Sequence, residues 1–182
     1  VPIESDCLLF DTTNYFTYMD SKTSSELAVR GKNKDGKHWL RQIGLALLLP
    51  RDTGIPLFYR EYEGNRHDSK LFTRLLEEMH SAMKELSGQD RELTLVFDKG
   101  MNSEVNMENI DINEDLHFIT SYSPFFAKDL AEKEPGTFTP VDTAPNRELV
   151  RQGKEEEQIV AYRTSREFWG KERTVVVSYN PR

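Results

Sequence analysis

Two segments of this chain share one shape, and together they restrict the fold more than anything else in it. In "CLLFDTTNY", Cys7, Leu8, Leu9 and Phe10 run into Asp11; in "TLVFDKGMN", Leu95, Val96 and Phe97 run into Asp98. Each reads as an apolar, β-forming run that delivers a carboxylate where one more hydrophobe belongs. A fold that accepts both must let two buried-looking strands each deliver a carboxylate. Burying two such charges unpaired costs several kcal/mol, so something must offset them.

The elements around these segments suggest how they meet. Residues 7 to 18 read as one long strand, "HWLRQIGLALLLP" as a second ending at Pro50, and "IPLFYREYEG" as a third, hairpin-paired with the second through the turn "RDTG". "DSKLFTRLLEEMHSAMKELSG" is the clearest helix. Leu71, Phe72, Leu75, Leu76, Met79, Ala82, Met83 and Leu86 form one stripe, Asp68 or Ser69 can cap its start, and Gly88 can close it. The strand "ELTLVFD", a short helix around "SEVNMENI" and the strand "LHFITSYS" follow. Three strands joined by short turns make an antiparallel meander, and a helix then permits a crossover to a strand parallel to the first. This α/β topology, a mixed sheet, lays "LVFD" beside "LLFD" and predicts that Asp98 neighbours Asp11.

Beyond Pro124 the character changes. "FFAKDLAEK" reads as a helical turn or two, "PGTFTPVDTAPN" as a connector, and "ELVRQGKEEEQIVAYRTSREFWGKERTVVVSYN" as two or three antiparallel strands turning near Gly153 and Gly170. The division falls between about residues 130 and 147, which gives a core over 1–130 and a connector with a β-rich segment over 131–182.

The net charge of −7 over 182 residues argues against a domain whose main task is gripping a nucleic-acid backbone. Charge is uneven, however. "VRGKNKDGKHWLR" carries Arg30, Lys32, Lys34, Lys37 and Arg41 against Asp35 alone, and is a candidate DNA-binding run. The single cysteine, Cys7, excludes an internal disulfide and reads as a core thiol. With Val1 first, no apolar run of membrane-spanning length and no signal-peptide pattern, the chain reads as part of a longer, soluble, intracellular protein with no membrane partner.

Two neighbouring aspartates can share a proton, pair with a cation or bind a divalent metal. Residue type favours the metal, because Mg²⁺ and Mn²⁺ take oxygen ligands and no His or Cys cluster competes. Two such ions about 4 Å apart stabilise both the attacking and the leaving oxygen of a phosphodiester displacement. Two aspartates are too few for two ions, so a third acid should complete the set.

Four motifs, in order, resemble those of the DDE transposases of bacterial insertion sequences: "FDTTNYFTY", "RGKNKDGKHWLRQIGLALL", "GIPLFYREYEGNRHDSKLF" and "VFDKGMNSEVN", together spanning roughly residues 8 to 123. The resemblance implies a ribonuclease H-like catalytic fold, with Asp11 and Asp98 as the first two catalytic, metal-binding acids. It also implies two Mg²⁺ or Mn²⁺ ions, DNA cleavage and strand transfer at transposon ends, a possible homodimer of the full-length protein, and a place in the bacterial or archaeal cytoplasm.

The sequence departs from the family at two points. Lys99 stands where Arg is frequent, which keeps the charge and loses bidentate reach. In the branch resembled, a β-rich insertion precedes a helical glutamate within Tyr-x2-Arg-x3-Glu-x6-Lys. Arg163 and Glu167 have the Arg-x3-Glu spacing, but Val160 and Thr174 occupy the Tyr and Lys places and the surroundings read as a hairpin. Glu167 is therefore rejected, and the chain is expected to lack its third acid and to be catalytically incomplete. Two rivals are a hydrolytic nuclease on the same fold and a non-enzymatic DNA- or protein-binding remnant.

"GKNKDGKH" has phosphate-loop spacing from Gly31 to Lys37, but His38 and a strand follow where Ser or Thr and a helix are needed. It is a false match.

Overall fold

Strict alternation in "RQIGLALLLP" builds the centre of the molecule. In the computed structural model, which describes residues 6–20, 22–32, 35–87 and 91–181, this segment is a strand with Gln42, Gly44, Ala46, Leu48 and Pro50 buried and the residues between them half-buried. Two compact units form, Val1–Ser121 and Tyr122–Arg182.

The first unit holds strands β1 (Cys7–Thr17), β2 (Val29–Arg30), β3 (Arg41–Pro50), β4 (Phe58–Glu63), β5 (Leu93–Phe97) and β6 (Leu116–Thr120), with helices α1 (Asp68–Ser87) and α2 (Glu104–Asp111). The sheet runs β2-β3-β1-β5-β6, and β4 also pairs with β3. β3 lies antiparallel to β1, β2 and β4. β5 lies parallel to both β1 and β6. This is the mixed α/β sheet expected from the sequence, antiparallel across β4, β3 and β1 and parallel across β1, β5 and β6. β2 is a short edge strand inside the basic run, where the sequence shows no strand pattern.

One face of the sheet packs under α1. Leu71, Phe72, Leu75, Leu76, Met79 and Met83 of the helical stripe are buried, together with Leu8, Phe10, Leu48, Leu93, Leu95 and Phe97 of the sheet. Gly88, the expected end of this helix, lies outside the described residues. Phe72 sits at the centre: its ring lies 5.2 Å from that of Phe10, edge-on at 71°, and 4.9 Å from that of Phe97. Phe10 and Phe97 are themselves register partners across β1 and β5. Gly44 is needed nearby, because a Cβ there would stand 2.1 Å from Tyr62 Cε2. The buried Asn106 ties the helices together, donating through Nδ2 to the carbonyls of Ser69 at 3.0 Å and Met101 at 2.6 Å.

The second unit contains α3 (Lys128–Ala131), β7 (Thr139–Pro140), α4 (Ala144–Arg151), β8 (Val160–Phe168) and β9 (Lys171–Tyr179), with β7, β8 and β9 in one antiparallel sheet. The strand read at "ELVRQ" is instead helix α4. Its start signals outweigh its β-like residues: the Thr143 hydroxyl accepts from the Asn146 amide at 3.3 Å, Pro145 occupies the first turn, and Gly153 follows the end with φ +68°. The β8–β9 hairpin closes through Trp169 and Gly170, both with positive φ, as a two-residue turn of this hand requires. The two compact units part between Ser121 and Tyr122, and within the second the Tyr122 ring packs on Phe168 at 4.6 Å and Trp169 at 5.7 Å.

Phe72→Ala removes the ring that both strands share, and should lower unfolding free energy by about 3–5 kcal/mol in a urea titration. A loss below about 1 kcal/mol would mean that the core closes without it.

Candidate active site

β1 and β5 pair in parallel from Cys7↔Thr94 to Phe10↔Phe97. The next residue on each strand is an aspartate, so Asp11 and Asp98 leave the paired region at the same level, on neighbouring strands about 5 Å apart. They stand at the carboxyl end of β5, the end at which open α/β sheets bind ligands. On the other side β1 continues past Asp11, paired with β3 as far as Thr17↔Arg41. Strand alternation puts Asp11 on the face of Cys7 and Leu9, and Asp98 on that of Thr94 and Val96, opposite the face under α1.

Both carboxylates are exposed. The burial suggested by the apolar runs does not occur, because pairing with β5 stops at Phe10 and the chain after Phe97 turns away as a short 3-10 turn, Lys99–Met101. The desolvation penalty that burial would impose is therefore relieved by solvent, and mutual repulsion is the remaining cost.

Each acid is held by the same local bond. Asp11 Oδ1 accepts from the Thr12 amide at 2.8 Å, and Asp98 Oδ1 accepts from the Lys99 amide at 2.7 Å. Asp98 Oδ1 also accepts from the Ser121 hydroxyl at 3.3 Å. Oδ2 of both acids has no hydrogen-bond partner among the described residues. Two carboxylates with one oxygen fixed and one open offer two hard ligands at adjoining positions, a donor set that fits Mg²⁺ or Mn²⁺. Among the described residues, no group of three or more His, Cys, Asp or Glu gathers to hold an ion. Glu167 lies in β8 directly opposite Glu172, in the hairpin read from the sequence.

The basic run is only partly free. Arg30 and Arg41 are cross-strand partners in β2 and β3, and Arg41 Nη1 donates to the Ala28 carbonyl at 2.7 Å. Lys37 Nζ stands 4.7 Å from the Phe16 ring centre and 3.9 Å from Asp35. Arg30 and Lys32 are exposed, and Lys34 lies outside the described residues. Buried Gln42 anchors the run, donating through Nε2 to the carbonyls of Lys32 at 3.2 Å and Gly64 at 2.5 Å. Arg41 pairs with Thr17, six positions past Asp11 along β1, a distance of about 20 Å. The run and the acid pair thus share the β1–β3 ladder without sharing a pocket.

Asn102 and Ser121 complete the surroundings of Asp98 and carry no sequence signature. Asn102 Nδ2 donates to the Ser121 carbonyl at 2.9 Å, and its Oδ1 accepts from the Thr120 hydroxyl at 2.8 Å. Only the parallel register of β5 and β6 brings these distant residues together.

A family model described as the transposase DDE domain matches residues 13–182, a span that contains Asp98 and starts just past Asp11. No curated protein matches the chain. Among solved structures, it resembles a Mos1 transposase paired-end complex with left transposon end, at 12% identity and TM-score 0.44, covering 84% of this chain and 48% of that one. A piggyBac transposase synaptic complex with hairpin DNA gives 13% identity and TM-score 0.45 over 97% and 33%. A Mos1 mariner paired end complex with Mn gives 13% and 0.44 over 84% and 49%. The chain thus spans about half or less of the length of these solved chains.

Exposed acids without an ion pair should matter little to folding. Asp11→Asn and Asp98→Asn, which keep the local amide bonds, should each shift unfolding free energy by less than about 0.5 kcal/mol in urea. A loss above about 2 kcal/mol in either would make that residue structural.

Proposed function

We propose, since this chain belongs to the DDE transposase family, that it supplies two of the metal-binding acids of a catalytic domain that nicks DNA at insertion-sequence ends and joins the freed 3′-hydroxyl to another phosphodiester. The observation that carries this reading is the pair Asp11 and Asp98, which follow register partners on parallel strands and each keep one carboxylate oxygen open. Divalent ions bound there, two Mg²⁺ or Mn²⁺ in the complete site, would activate the attacking oxygen and offset charge on the leaving one.

The chain's own residues hold and orient. The Thr12 and Lys99 amides fix one oxygen of each exposed acid and leave the other without a hydrogen-bond partner among the described residues. Arg30, Lys32, Lys34, Lys37 and Arg41 form a basic approach for the DNA backbone. About 20 Å along a duplex is roughly six base pairs, so the run would grip phosphates well away from the scissile one. Arg30 and Lys32 are the exposed members among the described residues, whereas Arg41 and Lys37 make contacts within the chain.

Residues 1–130 are read as the catalytic core without its C-terminal part, and residues 131–182 as part of a β-rich insertion that precedes a third acid in the complete protein. The isolated chain is accordingly incomplete for catalysis. The complete protein would act on transposon ends and target DNA, as a homodimer, in the bacterial or archaeal cytoplasm at the nucleoid. No helix among the described residues is long and apolar enough to cross a membrane.

A calorimetric Mn²⁺ titration of this chain beside Asp11→Ala and Asp98→Ala tests the reading. Weak binding is expected in the unaltered chain and loss in both variants. Binding that survives both substitutions would place the ion elsewhere, and no binding even at millimolar metal would count against a site here. In a parallel titration with duplex DNA, Arg30→Glu with Lys32→Glu should weaken binding and flatten its dependence on salt by about 0.9 in log–log slope for each phosphate that is no longer neutralised. An unchanged slope would remove these two residues from the interface.

A further inference from the structure

The two acids are not held alike. Asp11 takes one hydrogen bond, from its own neighbour's amide, whereas Asp98 takes a second from a residue at the end of another strand. That second donor is itself fixed. The Asn102 amide donates to the Lys99 carbonyl at 3.1 Å, closing the 3-10 turn that Asp98 opens. The Asn102 side chain then grips the end of β6 twice, accepting from the Thr120 hydroxyl and donating to the Ser121 carbonyl. Ser121 returns to Asp98 through its hydroxyl. The chain of bonds is a closed ring: Asp98, the turn, Asn102, Ser121 and Asp98 again.

The geometry points to Ser121, oriented by Asn102, as a positioning residue for Asp98: its hydroxyl commits Oδ1 and leaves Oδ2 as the metal-facing oxygen. Two donors on one oxygen fix the carboxylate more firmly than one, since rotation about the Cβ–Cγ bond would break both at once. In this role Ser121 acts through Asp98, to which its hydroxyl donates. A purely structural alternative exists, in which the ring merely fastens the β5 turn to β6. The two differ in what they predict for metal affinity. Groups that hydrogen-bond a metal ligand from outside change affinity by about 10–100-fold when removed.

This inference rests on the reading of Asp11 and Asp98 as a metal pair, and the test separates the two. Mn²⁺ binding to the whole chain is followed by electron paramagnetic resonance of free Mn²⁺, for the unaltered chain and for Ser121→Ala, Ser121→Thr, Asp98→Ala and Asp98→Ala with Ser121→Ala. Urea midpoints are measured alongside. Ser121→Ala should weaken Mn²⁺ binding about tenfold with an unchanged midpoint, Ser121→Thr should restore it by returning the hydroxyl, and Ser121→Ala should add nothing once Asp98 is gone. Full affinity in Ser121→Ala, with binding lost in Asp98→Ala, overturns the positioning role and leaves the metal pair standing. The role also falls if affinity drops only in step with the folded fraction, or if Ser121→Ala weakens binding equally with and without Asp98. An unaltered chain that binds no Mn²⁺, or an Asp98→Ala chain that binds normally, overturns the metal pair and this role with it.

Discussion

The Phe72 ring touches two rings at once, and the rest of the first unit follows from that packing. Phe10 and Phe97 are neighbours across a parallel strand pair, and the helix that links β4 to β5 drops Phe72 onto both. A slip of one residue in either strand would turn that strand's phenylalanine to the opposite face and separate the rings. The same slip would carry its aspartate into the core. The apolar side of the sheet therefore sets the register, and the register places the acids on the other side. Core packing and the candidate site are two faces of one alignment.

That alignment sets charge against charge. Two aspartates at adjoining strand positions repel, and among the described residues no lysine or arginine makes an ion pair with either. The fold tolerates them because both are exposed and each receives a backbone donor. An arrangement that costs stability and adds nothing to the core is the kind that a bound cation turns to advantage. The basic run differs in kind, since it is anchored through Gln42 and Arg41 at the far end of β1 and, among the described residues, exposes Arg30 and Lys32.

Much of this was legible in the sequence where one periodicity dominated. β3 alternates without a break and α1 carries one uninterrupted stripe, so both could be read directly, and with them the topology that makes Asp11 and Asp98 neighbours. Helix α4 was harder: "ELVRQ" resembles a strand until the Thr143 cap and Pro145 are given their weight. The exposure of the two acids was not legible, because apolar runs before an aspartate say nothing of where pairing with the next strand stops. Ser121 and Asn102 were beyond reach for a related reason. Their hydrogen bonds depend on which strands lie side by side and at what level, and the residue types alone announce no such role. Asp98 lies inside the span that the family model matches, and Asp11 stands just ahead of it.

The central claim is that one alignment puts both acids on one ion. The most direct measurement is paramagnetic broadening by substoichiometric Mn²⁺ in the amide spectrum of the isotope-labelled chain. The account predicts that the Asp11, Thr12, Asp98 and Lys99 signals broaden together at the lowest metal concentrations. Broadening confined to one strand, or centred on the hairpin glutamates, would contradict it.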